Sequence, residues 1–381
     1  MNDMSLSFRG IAPGSLVRSR QSGFSLVELM IAATISLLMM AAVLTLFLDV
    51  SRTNDEMAKT NAQIESGRFA LQLLQEDVAH AGFWGGYIPE FDDLSWTEIP
   101  TDVPDDVPSP CSWTAADNTN LLGVSVQVYD GVPPGCSSIV TDKKANTDVL
   151  VVRHAETCRP GVGNCEAEDS TRLYFQPSFC SDDPARYVLG TSGFTMRKRD
   201  CTTLSEKRKF VSNIYYVRDY SVTAGDGIPT LMRSEFGTGA EPKAAQALIE
   251  GIEGFRVELG IDNVGDGGVP NDYTEAVSFA VTASGDTNYS QPLNRGNGAP
   301  EGDFVRCPAA GCTVEQLIDV VAVKIFLLVR SIQPSPGYSD GKAYALGQAS
   351  PAAQVTGSNY KRHVYSTTVR LVNVSGRRET P

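Results

Sequence analysis

Residues 23–48 read GFSLVELMIAATISLLMMAAVLTLFL, and the portion 29–48 holds no charged side chain. About 20 apolar residues in a helix cover the hydrocarbon core of a bilayer. Arg18 and Arg20 stand just ahead of the run. The positive-inside bias therefore keeps the N-terminus in the cytoplasm and sends the remainder across. A cleavable secretory signal would have a shorter apolar region, about 7–15 residues, followed by a small-x-small site. Leu46-Phe-Leu-Asp-Val50 offers no such site. A plain single-span anchor fits the length but leaves Glu28 unexplained. An ionised carboxylate in an apolar span costs about 2.5–3.5 kcal/mol at mid-helix, less near an end, so it calls for a partner. A cut after Gly23 would supply one, the new amine of Phe24, on the same helix or on a neighbouring chain.

Charge divides at the same boundary. The 381 residues carry a net −13, with 45 Asp and Glu against 32 Lys and Arg. Arg9, Arg18 and Arg20 against Asp3 make residues 1–23 net +2, which leaves −15 on everything from Phe24 onward. An acidic body makes nucleic acid an unlikely partner, since general binding needs a basic footprint. With 42% hydrophobic and 20% charged residues, the chain can build a core, which excludes wholesale disorder.

The helical pattern outlasts the apolar run. Val50, Met57, Ile64, Leu71 and Val78 recur every seven residues, with Phe69 and Leu74 widening the stripe. We expect one helix over about 24–81, its first part (24–48) in the membrane and its second part packed on a head. Gly82, Gly85, Gly86 and Pro89 should end it. Past a Pro- and Asp-rich crossover, β-type runs dominate: 124–129, 149–153, 172–175, 210–216, 255–261, 277–282, 320–329 and 364–374. Alternation over 255–261 marks a half-buried antiparallel strand, and the near-continuous apolar run 320–329 marks a central one. The fold class is α+β: a long N-terminal helix, transmembrane in its first half, packed on a mainly antiparallel β-sheet head. The expected organisation is a leader over 1–23, the helix over 24–82, and an exported head over 83–381 with a divergent insertion at about 90–205.

Gly23-Phe24-Ser25-Leu26-Val27-Glu28, behind a short basic leader and ahead of an unbroken apolar helix, resembles the processing site of type IV prepilins. Met4 would make a shorter leader. Further stretches resemble PilW-type pilus-assembly proteins: Arg68-Phe-Ala-Leu71, Asp77, Ala81-Gly-Phe-Trp-Gly85 and Ile214-Tyr-Tyr-Val217, then Leu248-Ile-Glu-Gly-Ile252, Ile325-Phe-Leu-Leu-Val-Arg-Ser331 and Thr367-Thr-Val-Arg-Leu-Val-Asn373. The resemblance implies a pilin-like fold, cleavage after Gly23 by a prepilin peptidase, N-methylation of Phe24, and use of Glu28 in register and docking between subunits. It implies a single pass through the bacterial inner membrane with a periplasmic head, and later a place in the pilus at the cell surface. Implied partners are the major pilin, other minor pilins, the inner-membrane assembly platform and the lipid bilayer, with a minor pilin's role in initiating or capping assembly. Two other roles stay open: a type II secretion pseudopilin, and a tip adhesin acting through residues 90–205.

Eight cysteines, Cys111, Cys136, Cys158, Cys165, Cys180, Cys201, Cys307 and Cys312, all fall on the expected outer side. An even count in an exported domain reads as disulfides. Sequential pairing is the expectation, with Cys158–Cys165 and Cys307–Cys312 closing the shortest loops. Zinc is disfavoured, because C-x2-C is absent and the histidines are only His80, His154 and His363. Asp262-Asn-Val-Gly-Asp-Gly-Gly-Val-Pro-Asn-Asp-Tyr273 puts Asp262 and Asp266 at positions one and five of a calcium-type loop, with Gly267 at the turn. Val264 and Tyr273 occupy positions where oxygen ligands are wanted. The alternative is a polar turn between strands 255–261 and 277–282. No other cofactor is expected. Nor is an enzyme: Gly161-Val-Gly163 and Gly190-Thr-Ser-Gly193 lack the spacing of a dinucleotide loop or a nucleophile elbow.

Overall fold

The structure, a computed structural model, describes residues 23–235, 243–348, 353–354 and 358–379. All of the expected leader except Gly23 lies outside the described residues. Helix α1 spans Leu26–His80, 55 residues. The chain divides into two compact units, Met1–Met57 and Ala58–Pro381. In the first, every residue over 23–55 is exposed, and the helix there is long and apolar enough to cross a membrane.

The second unit holds the rest of α1 and the head. A seven-stranded antiparallel sheet comprises β1 (Val126–Tyr129), β2 (Val149–Ala155), β3 (Tyr174–Pro177), β4 (Tyr187–Gly190), β5 (Arg208–Arg218), β6 (Thr230–Glu235) and β7 (Gln246–Glu250). Short helix α2 (Asn118–Gly123) precedes it. β8 (Ile252–Ile261) starts a second sheet, and β9 (Phe279–Val281) and β10 (Thr287–Pro292) form a separate hairpin. After α3 (Val314–Ile318) comes β11 (Val320–Arg330), then the small pair β12 (Ala343–Tyr344) and β13 (Ala353–Gln354). β14 (Arg362–Arg370) completes a three-stranded sheet in the order β14-β11-β8, and α4 (Val372–Arg378) ends the described chain.

Alternation explains which residues go where. On β2, Leu150 and Val152 enter the main core, while Val149 and Val151 enter a second core on the opposite face. β11 buries both faces: Val323, Ile325, Leu327 and Val329 reach the main core, and Phe326 and Leu328 pack with Leu346. That two-sided burial is why its sequence is nearly all apolar, and why it is the central strand of its sheet. The main core also takes Ala70, Leu74 and Val78 of α1, so helix and both sheets share one interior.

The structure revises several expectations. The inner face of α1 is Gln63, Gly67, Ala70, Leu74 and Val78, whereas Phe69, counted in the apolar stripe, is 57% exposed. The seam uses small residues because the Tyr365 ring of β14 lies where a Cβ on Gly67 would be, 2.5 Å away. The segment 90–205 supplies four strands of the seven-stranded sheet, including the core strands β1 and β2. The loop after β8 is no hairpin turn: β8 pairs with β11, and β9 pairs with β10. At the end of α1, Gly82 takes a φ of 73°, and its amide donates to the Arg153 carbonyl at 3.0 Å. A left-handed glycine stops the helix without a steric penalty. The cysteines are joined as Cys111–Cys136, Cys158–Cys165, Cys180–Cys201 and Cys307–Cys312.

Leu74 is fully buried at the meeting point of helix and sheets. Leu74→Ala should lower the unfolding free energy by about 2–5 kcal/mol, read by chemical denaturation of the detergent-solubilised chain. Phe69→Ala, on the exposed side of the same helix, should stay within about 0.5 kcal/mol.

Candidate functional site

The N-terminal residues singled out by sequence lie together on an open stretch. Gly23 has nothing near its would-be Cβ, and Phe24 is 88% exposed. The Ser25 amide donates to the Glu28 carboxylate at 3.0 Å. Ser25 stands just before the first helical residue and Glu28 three positions on, so this is the carboxylate half of a capping box. The pattern S-x-x-E was readable in the sequence and was missed there. It gives Glu28 a role within its own chain, beside any role toward a neighbour.

The second cluster holds the helix to the head. The Asp77 carboxylate, on α1, accepts from His154 Nε2 of β2 at 3.0 Å and from Asn213 Nδ2 of β5 at 3.0 and 3.1 Å. The Asp77 charge also lies close enough to Tyr215 to help burial raise the pKa of its hydroxyl. One turn short of two before the apolar seam begins, Gln63 donates to the Val329 carbonyl at 2.6 Å and to the Lys361 carbonyl at 3.2 Å. Polar anchors thus sit at both ends of the buried stripe. His154 is buried, which by itself lowers its pKa. The hydrogen bond and charge of Asp77 and the Ala155 carbonyl outweigh that, so the pKa lies above its ordinary value. The His80 ring lies beside it, tilted by 38° with ring centroids 5.7 Å apart.

The calcium-type loop is put to other use. The Asp262 carboxylate accepts the backbone amides of Asn297 and Gly298 at 3.1 and 2.9 Å and faces Arg378 of α4 at 3.4 Å. Burial raises the Asp262 pKa against the pull of Arg378. Asp266 is exposed and accepts only from the Asn297 side chain, at 3.0 Å, among the described residues. Asn271 donates to Asp319, as does Tyr273, and Asp319 also pairs with Arg378 at 2.9 Å. These oxygens face a guanidinium rather than a common point for a cation. Asp92 completes the set at 2.8 Å from Arg378. Sequence could not reveal it, since the arginine lies 116 positions from Asp262. Cys180, Asp182 and Cys201 also converge, but the two sulfurs form a disulfide and are not thiolate ligands.

Arg197-Lys-Arg199 and Lys207-Arg-Lys209 form a local basic run, most of which is paired. Arg197 binds Asp183 at 2.7 Å, Lys209 binds Glu235 at 2.7 Å and Glu156 at 3.2 Å, and Arg208 binds Glu206 at 3.3 Å. Such a surface offers little free positive charge to a phosphate backbone.

A prepilin-type start on a long apolar helix, docked through its second part onto an antiparallel head with four disulfides, defines a type IV pilin-like protein of α+β fold. Residues 18–44 match the prokaryotic N-terminal methylation motif, and residues 214–373 match the family described as type IV pilus-assembly protein W. Those two matches, in that order on one chain, make it similar to the PilW-type pilus-assembly proteins over those residues. A type IV-like pilin from Thermus thermophilus is a similar solved structure, at 11% identity and a TM-score of 0.30, with 82% of this chain and 97% of that one covered. The superposition is too loose to assign any residue. No curated protein matches the chain.

The Asp77–His154 pair predicts a pH dependence. With the folded pKa of His154 above the unfolded value of 6.5, its contribution is full below that value and is lost as pH rises through the folded pKa. Thermal midpoints of the wild type should therefore fall between about pH 6 and about pH 8. His154→Gln, which keeps a hydrogen-bond donor but no titration, should show a flatter profile over the same range.

Proposed function

We propose that this protein is a minor pilin: a membrane-inserted subunit, cut after Gly23 by a prepilin peptidase and methylated on Phe24, that joins an initiating or capping complex of the type IV pilus. The observation that carries the reading is the contrast along α1. Its residues over 23–55 are all exposed, while from Gln63 onward one face is buried in the head. An apolar surface of that length calls for lipid before assembly and for other pilin helices afterwards. The disulfides favour an oxidising compartment, so the head belongs in the periplasm and then on the pilus. The size of the head supports a minor role, because residues 83–381 are hard to repeat along a closely stacked filament.

Glu28 is the assembly residue in this reading. Its carboxylate would be drawn to the methylated amine of Phe24 on a neighbouring subunit when both enter the apolar filament core. Glu28→Ala should leave cleavage after Gly23 intact, seen as a mature mass beginning at methylated Phe24, yet reduce recovery in sheared pili by about tenfold or more. Unchanged incorporation would sink the mechanism. A deletion strain that keeps its pili but loses exoprotein secretion would move the protein to the pseudopilins of type II secretion.

A further inference from the structure

Around the Cys180–Cys201 disulfide, outside the residues that match the pilus-assembly family, two cavities of about 450 and 510 Å³ lie side by side. Phe179 and Arg199 line both, so one aromatic ring and one guanidinium stand at the divide of a single cleft. Each volume falls in the range of small-ligand sites, about 300–1,000 Å³.

The walls are fixed before any ligand arrives. The Phe179 amide donates to the Arg197 carbonyl at 2.9 Å, and the Ser178 amide donates to the Arg186 carbonyl at 2.7 Å. Arg186 is held by Glu90 at 2.7 Å and lies between the rings of Tyr87 and Trp96, 5.5 and 4.7 Å from their centroids. The Trp96 ring, in contact with that guanidinium, forms part of one cavity wall. Its indole N–H is buried and has no acceptor among the described residues, although a buried indole ordinarily finds one.

The charges divide into committed and free. Four carboxylates line the cleft, and each is already used. Asp93 accepts the amide and hydroxyl of Ser95 at 2.9 and 2.6 Å, and Asp183 holds Arg197 at 2.7 Å. Asp200 accepts the amides of Thr202 and Thr203 at 3.0 and 2.9 Å, and Glu206 pairs with Arg159 at 3.0 Å. Arg199 is exposed and makes no hydrogen bond or ion pair among the described residues. A free cation, aromatic surfaces and many acceptor oxygens at the margins suit a particular chemistry. A carboxylate would pair with Arg199, a ring's apolar face would rest on Phe179 or Trp96, and hydroxyls would donate to the surrounding acidic oxygens. A polyphosphate has no hydroxyls to donate to those acidic oxygens, and a neutral sugar would leave that cation unused.

We propose that this cleft binds saccharides carrying carboxylate groups, of the uronic-acid type. This inference stands independently of the assembly role. The test uses the full chain in detergent with its disulfides intact, titrated by calorimetry and tryptophan fluorescence with tetragalacturonate, the neutral tetragalactoside, tetraglutamate and a short single-stranded DNA. Saturable binding is expected for tetragalacturonate, with a change in tryptophan emission and an affinity about tenfold or more above that for the neutral sugar. Arg199→Ala should weaken it by a similar factor, and Trp96→Phe several-fold, at unchanged thermal midpoints. Absence of saturable binding, equal affinity for the neutral sugar, or full affinity in Arg199→Ala would overturn the proposal. So would tighter binding of the glutamate peptide or the DNA, which would reassign the cleft to that class.

Discussion

Burial of one narrow face of α1 against two sheets is the constraint on which the head depends. Ala70, Leu74 and Val78 are wholly buried, and around them meet Leu150 and Val152 of β2, Val257 of β8, and Ile325 and Leu327 of β11. Each large apolar side chain so buried contributes roughly 1.5–3 kcal/mol. The helix and the two sheets thereby share one interior. Apolar burial is not directional, however, and would tolerate a helix rotated by a residue. Gln63 at one end of the stripe and Asp77 near the other remove that freedom through hydrogen bonds to β11, β2 and β5. Gly67 adds a steric condition, since only a residue without a Cβ lets the Tyr365 ring approach.

A second layer of order comes from buried charge. Arg378 of α4 reaches Asp92, Asp262 and Asp319, bringing the segment just past α1, the loop after β8 and the entry to β11 onto the C-terminal helix. Arg256 and Arg306 share Asp130 and Asp148 in the same fashion. Pairs of this kind lose much of their Coulomb energy to desolvation, while loss of one partner strands the other and costs about 3–5 kcal/mol. Their physical effect is selective. They add little to net stability, but they penalise any arrangement in which the long irregular segments dock elsewhere.

How legible this was depended on the range of the interactions involved. The extent of α1, the alternating run of β8 and the two-sided burial of β11 are local patterns, and they stood in the sequence. The helix seam was misread because hydropathy favours Phe69, whereas the contact is made by Gly67 and Ala70, whose value lies in their smallness. β4, β6 and β7 are short and mixed in polarity, with too few alternations to register. Asp262 and Asp266 matched a loop template, yet the guanidinium that claims Asp262 comes from the far end of the chain. The cleft at Phe179 and Arg199 is assembled from segments around residues 85–96 and 177–208, and no spacing rule spans that gap.

At Glu28 the magnitudes favour an intermolecular solution. A carboxylate in the first turn gains about 0.3–1 kcal/mol from the helix N-terminus, and its bond to the Ser25 amide adds about 1.5–3 kcal/mol as a charged hydrogen bond. Together these rival the roughly 2.5–3.5 kcal/mol cost of an ionised group at mid-membrane. In a bilayer the end position of Glu28 lowers that cost further, with lipid headgroups close by. Inside a filament the same segment would be surrounded by apolar helices with no headgroups in reach, and the desolvation cost rises to several kcal/mol per ion. Under the proposed assembly role the capping bond would not be enough there, and a second, positively charged partner would become necessary. Under the proposed role the same residue would be tolerable in the membrane and demanding in the assembly, a difference that would favour entry only for subunits presenting a correctly placed amine.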